Sequence, residues 1–328
     1  MKTTEHPHRR RVAVIGGGEN CEHEVSLSSA ASVRTGLEPR YEVTSLTIGL
    51  DGIWCNDAGR PLGSSRVSSV ARATEVLGGA DVVFPVVHGP RGEDGTLSAY
   101  LDLLGLPAIG TGTRGGAIAM DKWATKVIAE AVGIRTAPGR LLTSTESAEA
   151  VTWTGPVVVK PVAAGSSHGV TLVHEPSGLS AAVELARTLD DRVLIEELLV
   201  GREIDIAVLR TADGEVRVSA PLEISNVTGG VFGTEQKYDG TASFRVPADL
   251  AEAEVATISA AARSIFHTLG CDGVARCDFF LTDDGLVLNE VNTMPGMTAH
   301  SQVPKMFAAV GLSYPDLLDE LVRAALTR

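Results

Sequence analysis

Two carboxylates and an amide near the end of the chain carry the spacing of a divalent-cation site. Asp278 lies in one apolar stretch, and Glu290 and Asn292 lie in the next, separated by the residues TDDG. An unpaired carboxylate is costly inside a buried strand, so these groups need a cation or a proton. Hard oxygen ligands of this kind suit Mg²⁺, which completes its shell with water and phosphate oxygens.

A β-hairpin would bring these residues to one face. A three-residue loop at 283–285, with glycine in the position of positive φ, would set Thr282 opposite Leu286. In that register the two carboxylates face each other and Arg276 faces Asn292, and alternation puts all four side chains on the same side. The arginine could hold a phosphate or a developing oxyanion. The alternative is a solvated face with cross-strand polar pairs.

A second group of residues could hold a nucleotide. Lys160 ends the apolar run VVVK and precedes the glycine-serine loop 165–169, whose backbone N–H groups could lie over phosphates. Glu196 and Glu197 end the run VLIEE, with Glu203 beyond, and these acceptors could take an adenine amino group and ribose hydroxyls. The alternatives are a plain β-turn for the loop and surface carboxylates for the acidic residues.

Three further segments carry chemically useful side chains. Glu22 follows a glycine-rich turn that lacks the GxGxxG dinucleotide pattern, and it could meet a substrate ammonium or simply favour a helix dipole. His88 ends an apolar strand, where open α/β sheets bind ligands, although a hydrogen-bonded structural histidine is the alternative. Lys237 and Tyr238 lie in a long polar loop that could be a lid over the site, or an exposed loop with an incidental cation.

The elements that must position these residues fall into three parts. Short apolar strands alternate with amphipathic helices in the first third, which predicts a parallel sheet. From about Met120 the pattern changes to a small antiparallel α+β unit, followed after Val200 by two strand–turn–strand units. We therefore expect an α/β and α+β protein with an N-terminal substrate-binding domain at 1–121, a central domain at 122–200 and a C-terminal domain at 201–328.

Composition limits the class of protein. The chain has 328 residues, 44% of them hydrophobic, which is enough for a sizeable core. Its net charge of −13 argues against a general nucleic-acid binder and against a basic membrane-surface patch. Its four cysteines show no CxxC pairing, which favours a reduced compartment. Neither a signal segment nor a run of about 18 apolar residues occurs, so we expect a cytoplasmic protein without a membrane span.

Taken together, the motifs resemble the D-alanine–D-alanine ligases of the ATP-grasp superfamily. They follow in order over nearly the whole chain: GGGENCEHEVSLSSA, VVHGPRGEDGTLSAYLDLLGLPAIGTG, AMDKWATK, VVVKPVAAGSSHGV, VLIEELLVGRE, EQKY, GVARCDFFL and LNEVNTMPGMTAHSQVP. The resemblance implies an ATP-grasp fold of three domains with an N-terminal parallel sheet. It also implies ATP and two Mg²⁺ ions, for which Mn²⁺ can substitute, D-alanine as the amino acid, a homodimer, and a role in making peptidoglycan precursors.

The resemblance also implies roles for single residues. It assigns the nucleotide to Lys122, Lys160, Glu196, Glu197, Leu199 and Glu203. It assigns the metal ions to Asp278, Glu290 and Asn292. It assigns the first substrate's ammonium and the reacting groups to Glu22, Ser166, Lys237, Tyr238, Arg276 and the N–H of Gly296. It places the substrates beside Glu22, His88, Ser301 and Gln302.

The reaction so implied begins when one carboxylate attacks the γ-phosphate of ATP to give an acyl phosphate, which an amine then attacks. Departures from the family pattern bear on the second substrate. Gln302 stands where an apolar residue, often leucine, is usual, and Ala163 and Ala164 stand where Arg-Glu is common. A polar acceptor such as D-serine, used in antibiotic biosynthesis or self-resistance, is therefore the alternative. A nucleotide-binding protein without ligase activity is a third possibility.

Overall fold

The computed structural model describes residues 9–225 and 243–327. The strands in these ranges are β1 (Arg11–Gly17), β2 (Glu42–Ile48), β3 (Trp54–Asn56), β4 (Val82–Pro85), β5 (Gly139–Leu142), β6 (Val157–Pro161), β7 (Thr171–Val173), β8 (Val193–Glu197), β9 (Arg202–Arg210), β10 (Val216–Val218), β11 (Leu222–Ser225), β12 (Ser243–Arg245), β13 (Val274–Thr282) and β14 (Gly285–Asn292). The helices are α1 (His23–Leu37), α2 (Arg66–Leu77), α3 (Thr96–Leu103), α4 (Thr113–Met120), α5 (Lys122–Ala131), α6 (Leu179–Arg187), α7 (Glu252–Thr268), α8 (Gln302–Ala308) and α9 (Tyr314–Leu326).

The first sheet has the strand order β3-β2-β1-β4. Strand β1 is parallel to both β2 and β4, which confirms the predicted parallel sheet, while the short edge strand β3 is antiparallel and was not predicted. Every residue of β1 from Val12 onward is buried, because strands of a parallel sheet are covered on both faces. At its end Gly17 adopts a φ of 85°, and the chain leaves the sheet towards α1.

The second sheet, β5-β8-β6-β7, is antiparallel throughout, as expected for the central unit. Helix α6 covers one face, and its buried side chains pack with valines of β6 and β8 in one cluster. The antiparallel register places Lys160 beside Leu194 and Val158 beside Glu196. The two strands that carry the predicted nucleotide-binding side chains are therefore direct neighbours.

The third sheet has the order β12-β11-β9-β13-β14, with β10 paired to β9. Helix α7, which the sequence patterns did not predict, packs its buried face on this sheet, in a cluster that includes Phe266 and Phe279. Helix α9 packs instead in a cluster with Val12 and Val14 of the first sheet, so the C-terminal helix joins the two ends of the chain. The domain limits near 121 and 200 stay a prediction.

The hairpin β13–β14 contains a bulge. Asp278 pairs with Glu290 and Arg276 with Asn292, as predicted, but Thr282 pairs with Gly285 and not with Leu286. The connecting loop is therefore two residues long, and the register shifts by one beyond Asp278.

The bulge changes which side chains share a face. Leu288 and Val291 are three residues apart, yet both are buried in the same cluster. Asn289 and Glu290 between them are only partly buried and both line a cavity, whose wall Leu288 also reaches. A regular strand would send Leu288 and Val291 to opposite faces. The bulge thus directs two consecutive polar residues into the site.

No helix within residues 9–225 and 243–327 combines the length and the apolar character needed to cross a bilayer.

The bulge predicts how much stability is lost when alanine replaces residues on the two sides of β14. Leu288→Ala should destabilise the protein by about 2–5 kcal/mol, and Val291→Ala by at least about 1.5 kcal/mol, because both side chains leave the same buried cluster. Asn289→Ala, the matched control on the cavity side, should cost less than either. Urea denaturation followed by circular dichroism measures the three values. A Val291→Ala cost no larger than that of Asn289→Ala would contradict the bulge.

Candidate active site

One cavity of about 560 Å³ lies between the second and third sheets. Its walls include all six residues assigned to the nucleotide: Lys122, Lys160, Glu196, Glu197, Leu199 and Glu203. Apolar side chains from both sheets complete the walls, among them Val158, Leu172, Ile224 and Phe280. A mostly apolar cleft of this size with a few charged groups is typical of a small-molecule site.

A buried triad of charges lies at the wall of this cavity. Lys126 Nζ is 2.5 Å from Glu196 Oε1, and Lys160 Nζ contacts the other carboxylate oxygen. Burial alone would raise the pKa of Glu196, but the charges of Lys160 and Lys126 hold that pKa below its ordinary value. Both oxygens are thus engaged by lysines, and Glu196 orients Lys160, whose Nζ is 3.3 Å from Asn289 Oδ1.

Lys126 was not identified from the sequence. It follows Lys122 by four residues in α5, so the two lysines lie on one helix face, which is the signal that could have found it. Lys122 itself donates to the carbonyl of Ala164 at 2.7 Å and lies 3.3 Å from Glu290 Oε2. It therefore links α5, the glycine-serine loop and the hairpin.

The predicted metal ligands do share one face. Arg276 donates to both oxygens of Asp278 at 2.7 Å, and Asn292 Nδ2 donates to Asp278 Oδ2 at 3.0 Å. Burial opposes the charged guanidinium, but the adjacent Asp278 carboxylate raises the pKa of Arg276 well above its ordinary value. With Glu290 paired to Lys122, each carboxylate of the facing pair has its own cation from the chain.

The described residues contain no group of three or more His, Cys, Asp or Glu side chains suited to a metal ion. The candidate set is instead two carboxylates and one amide oxygen, and these are hard ligands that fit Mg²⁺ completed by phosphate oxygens and water. Glu290 and Asn292 also line a small adjoining cavity together with Lys122 and Glu93. The donor chemistry therefore fits the ion that the sequence predicted.

Glu22 is a buried carboxylate, 7% exposed, immediately before α1. Ser166 donates to its Oε1, whereas its Oε2 has no hydrogen-bond partner within the described part of the chain. A Cβ added to Gly89 or Gly165 would collide with Oε2, so only glycine allows the backbone to pack this closely against that atom. A buried carboxylate oxygen without a donor suits an ammonium group.

The glycine-serine loop holds its shape through an unusual backbone. Ser166 and Ser167 have φ values of 49° and 58°, in the left-handed region that residues with side chains seldom adopt. Such conformations persist where the surrounding structure imposes them, and they are common at functional sites. Here the loop connects β6 to β7, covers the cavity and presents a serine to Glu22.

Glu93 is a partly buried carboxylate that the sequence patterns did not single out. It accepts from the N–H groups of Gly89, at 2.8 Å, and Met294, at 3.0 Å. Burial and the nearby charge of Glu22 raise its pKa to about 7. Glu93 therefore joins the loop after β4 to the loop after β14, beside the first-substrate candidate.

His88 was expected beside the first-substrate subsite, with a structural histidine as the alternative. Its Nδ1 is 2.7 Å from the carbonyl of Met294 and its Nε2 is 3.0 Å from Ser29 Oγ. A carbonyl only accepts, so Nδ1 carries the proton and Nε2 accepts from the serine. Burial lowers the pKa of His88, which favours this neutral form. Both nitrogens are thus engaged, and His88 holds the loop 293–301 in place.

That loop carries the remaining candidates. Ser301 precedes α8, and its Oγ accepts from the N–H of Thr298 at 3.1 Å. Gly296 lies in the same loop, beside Ser301. Gln302 begins α8 and contacts Arg276. Lys237 and Tyr238 lie outside the described residues.

The buried triad predicts that substitutions of two adjacent glutamates change the stability of the protein by very different amounts. Glu196→Gln leaves two lysines without a buried anion and should destabilise the protein by about 3–5 kcal/mol. Glu197→Gln, at the exposed neighbouring position, should change stability little. Thermal melting measures both.

The triad also predicts a pH dependence. Because the folded pKa of Glu196 is depressed, the contribution of Glu196 to stability is present above the ordinary pKa of 4.5 and is lost as pH falls through the folded pKa. The Glu196→Gln deficit should therefore shrink in acid, and equal melting of the two variants at neutral pH would refute the triad.

Comparison with known proteins identifies the family. The family model for the D-ala D-ala ligase N-terminus matches residues 11–111, and the model for its C-terminus matches residues 129–323. A D-alanine–D-alanine ligase of Mycolicibacterium gilvum is 40% identical over 359 residues, covering 98% of each chain. One from Streptomyces griseus is 37% identical over 369 residues, covering 98% of this chain and 94% of its own.

Solved structures agree with the sequence relatives. The VanG D-Ala:D-Ser ligase of Enterococcus faecalis superposes with a TM-score of 0.81 at 32% identity, over 97% of this chain and 100% of its own. The D-alanine–D-alanine ligase of Coxiella burnetii gives a TM-score of 0.81 at 30% identity, over 97% and 94%. The chain therefore belongs to the D-alanine–D-alanine ligase family of ATP-dependent carboxylate–amine ligases, with the ATP-grasp fold.

Proposed function

We propose that this enzyme joins two D-alanine molecules to give D-alanyl-D-alanine, ADP and phosphate, and so supplies a precursor of peptidoglycan. The observation that carries the proposal is the buried Glu22 carboxylate, whose Oε2 has no hydrogen-bond partner within the described residues and lies against the glycine-serine loop beside the nucleotide cavity. An amino acid with its ammonium on Glu22 would direct its own carboxylate towards the charged groups of the cavity. That orientation is what activation of a carboxylate by ATP requires.

The chain holds cations where phosphates would lie. Lys122 and Lys160 line the cavity from two different elements, and each is already held by an acidic partner. Charge neutralisation and positioning supply most of the catalysis in phosphoryl transfer, since the phosphoryl group itself needs little covalent help. The apolar walls formed by Val158, Leu172 and Ile224 would enclose the adenine ring.

Asp278, Glu290 and Asn292 would hold Mg²⁺, for which Mn²⁺ can substitute. When bound, these ions supply further neutralisation of the phosphate oxygens. The hairpin holds the three side chains on one face before any ligand arrives, because Arg276 fixes Asp278 and Lys122 fixes Glu290. Preorganised ligands lose little freedom on binding, which favours the site over a flexible acidic loop.

Arg276 would then act on the second half of the reaction. When an amine attacks the acyl phosphate, negative charge develops on the carbonyl oxygen, and a guanidinium with the Gly296 N–H would stabilise it. Three of the five N–H groups of Arg276 go to Asp278 and Gln302, which leaves one on each terminal nitrogen. Ser301 would hold the carboxylate of the second D-alanine, and Lys237 and Tyr238 would close over the substrates.

We further propose, from the family alone, that the enzyme is a homodimer that acts on free amino acids in the cytoplasm. The changes of strand and helix pattern along the sequence support the division into an N-terminal domain at 1–121, a central domain at 122–200 and a C-terminal domain at 201–328.

D-serine as the acceptor is the second candidate. The polar side chain of Gln302 beside Ser301 favours it, as does the likeness to the VanG D-Ala:D-Ser ligase. The chemistry would be the same, with only the acceptor changed.

A panel of D-amino acids with ATP and Mg²⁺ tests the function. We expect phosphate release that depends on D-alanine, and a product with the mass of D-alanyl-D-alanine. In a mixture of D-alanine and D-serine, the D-alanyl-D-serine product should be the minor one. A dominant mixed product would establish the second candidate instead. No release with any amino acid of the panel would favour a nucleotide-binding protein without ligase activity.

A matched pair of hairpin variants tests the site. Glu290→Gln should lower turnover at least about a hundredfold, because it removes a carboxylate ligand of the Mg²⁺ that would neutralise the phosphates. Asp283→Asn, in the exposed turn of the same hairpin, should keep full turnover. Circular dichroism should show both variants folded. Undiminished turnover of Glu290→Gln would refute the metal assignment.

A further inference from the structure

The side chain of Gln302 lies between two charged groups of the third sheet. Its Oε1 accepts from Arg276 Nη1 at 2.8 Å, and its Nε2 donates to Asp205 Oδ2 at 3.0 Å. The amide therefore uses its acceptor on the arginine and one of its donors on the carboxylate. An apolar side chain at this position could make neither contact.

Asp205 is a second buried carboxylate close to Arg276. It lies in β9 directly beside Asp278 in β13, and it is only 1% exposed. Two carboxylates thus flank one guanidinium. Arg276 Nε lies 2.7 Å from Asp278 Oδ1 and 3.5 Å from Asp205 Oδ2, so the arginine is committed to Asp278 although a second buried anion is close.

A buried carboxylate needs donors, and a nearby guanidinium is the strongest available. Without the amide of Gln302, Asp205 would lose a donor and Arg276 would lose an acceptor at the same time. Both losses favour rotation of the guanidinium from Asp278 towards Asp205. Gln302 removes this competition between the two carboxylates. Its amide donates to Asp205 and accepts from Nη1 of Arg276, and so holds the guanidinium against α8.

We propose that Gln302 is a positioning residue. By donating to the buried carboxylate of Asp205, it keeps the guanidinium of Arg276 hydrogen-bonded to Asp278. The proposal rests on the proposed function, in which Arg276 stabilises the developing oxyanion. It also accounts for a polar residue at position 302 without a polar acceptor substrate. The amide of Gln302 donates to the charged Asp205 carboxylate, and the second substrate can still be D-alanine.

The test compares Gln302→Leu with the double variant Gln302→Leu/Asp205→Asn. In the single variant kcat for D-alanine should fall about tenfold to a hundredfold, because a misplaced catalytic group costs that much. KM for ATP should stay within about twofold, since the lost interaction belongs to the transition state. In the double variant the competing charge is gone, and most of kcat should return. The ratio of D-alanyl-D-alanine to D-alanyl-D-serine should be the same in all three proteins.

Crystal structures of the two variants give a readout that does not depend on turnover. In Gln302→Leu, Arg276 should donate its hydrogen bonds to Asp205 and no longer to Asp278, and in the double variant it should donate to Asp278 again. An unmoved Arg276 in Gln302→Leu would overturn the proposal, and so would a changed product ratio with kcat intact. Wild-type protein without D-alanine-dependent phosphate release would refute the proposed function, and the position of Arg276 in the crystals would still decide the role of Gln302.

Discussion

The facing pair of carboxylates on the last hairpin is the constraint on which the rest of the site depends. Asp278 and Glu290 lie opposite each other in neighbouring strands, where like charges repel. Each is balanced by a cation of the chain, Asp278 by Arg276 and Glu290 by Lys122. Because Lys122 begins α5 and also holds the glycine-serine loop through Ala164, balancing this pair fixes the central unit against the third sheet. The cavity between them is a consequence of that arrangement.

The site concentrates lysines, which are few in this chain. Of the six lysines in the sequence, Lys122, Lys126 and Lys160 all contact glutamates of this site. The pairing has a double effect. It makes the burial of charge tolerable in the absence of ligand, and it holds the lysines at positions where the phosphates of ATP would need them. Glu22 differs, since its Oε2 has no hydrogen-bond partner in the described ranges, which is why we assign it to a charged substrate group.

Alternation along strands was enough to predict the hairpin face, because it depends only on local geometry. The loop length and the bulge could not be predicted in this way, because their effects on the strand register cancel. A two-residue turn and a bulge at Asn289 cancel beyond Asp278, so the wrong loop still gave the right facing pairs. Lys126 and Glu93 lie inside quoted motifs but were not singled out, and Asp205 lies outside them. The contacts of all three form only when distant segments pack together. The choice between a structural and a ligand-binding His88 likewise needed its partners, Ser29 and Met294, which are far away in sequence.

We propose that the hairpin oxygens hold divalent cations for the nucleotide. A crystal grown with a non-hydrolysable ATP analogue and Mn²⁺ tests this assignment directly, because anomalous scattering locates manganese without reference to the protein. We expect manganese peaks within about 2.0–2.4 Å of side-chain oxygens of Asp278, Glu290 and Asn292. Nucleotide in the cavity with manganese bound away from Asp278, Glu290 and Asn292 would contradict this assignment.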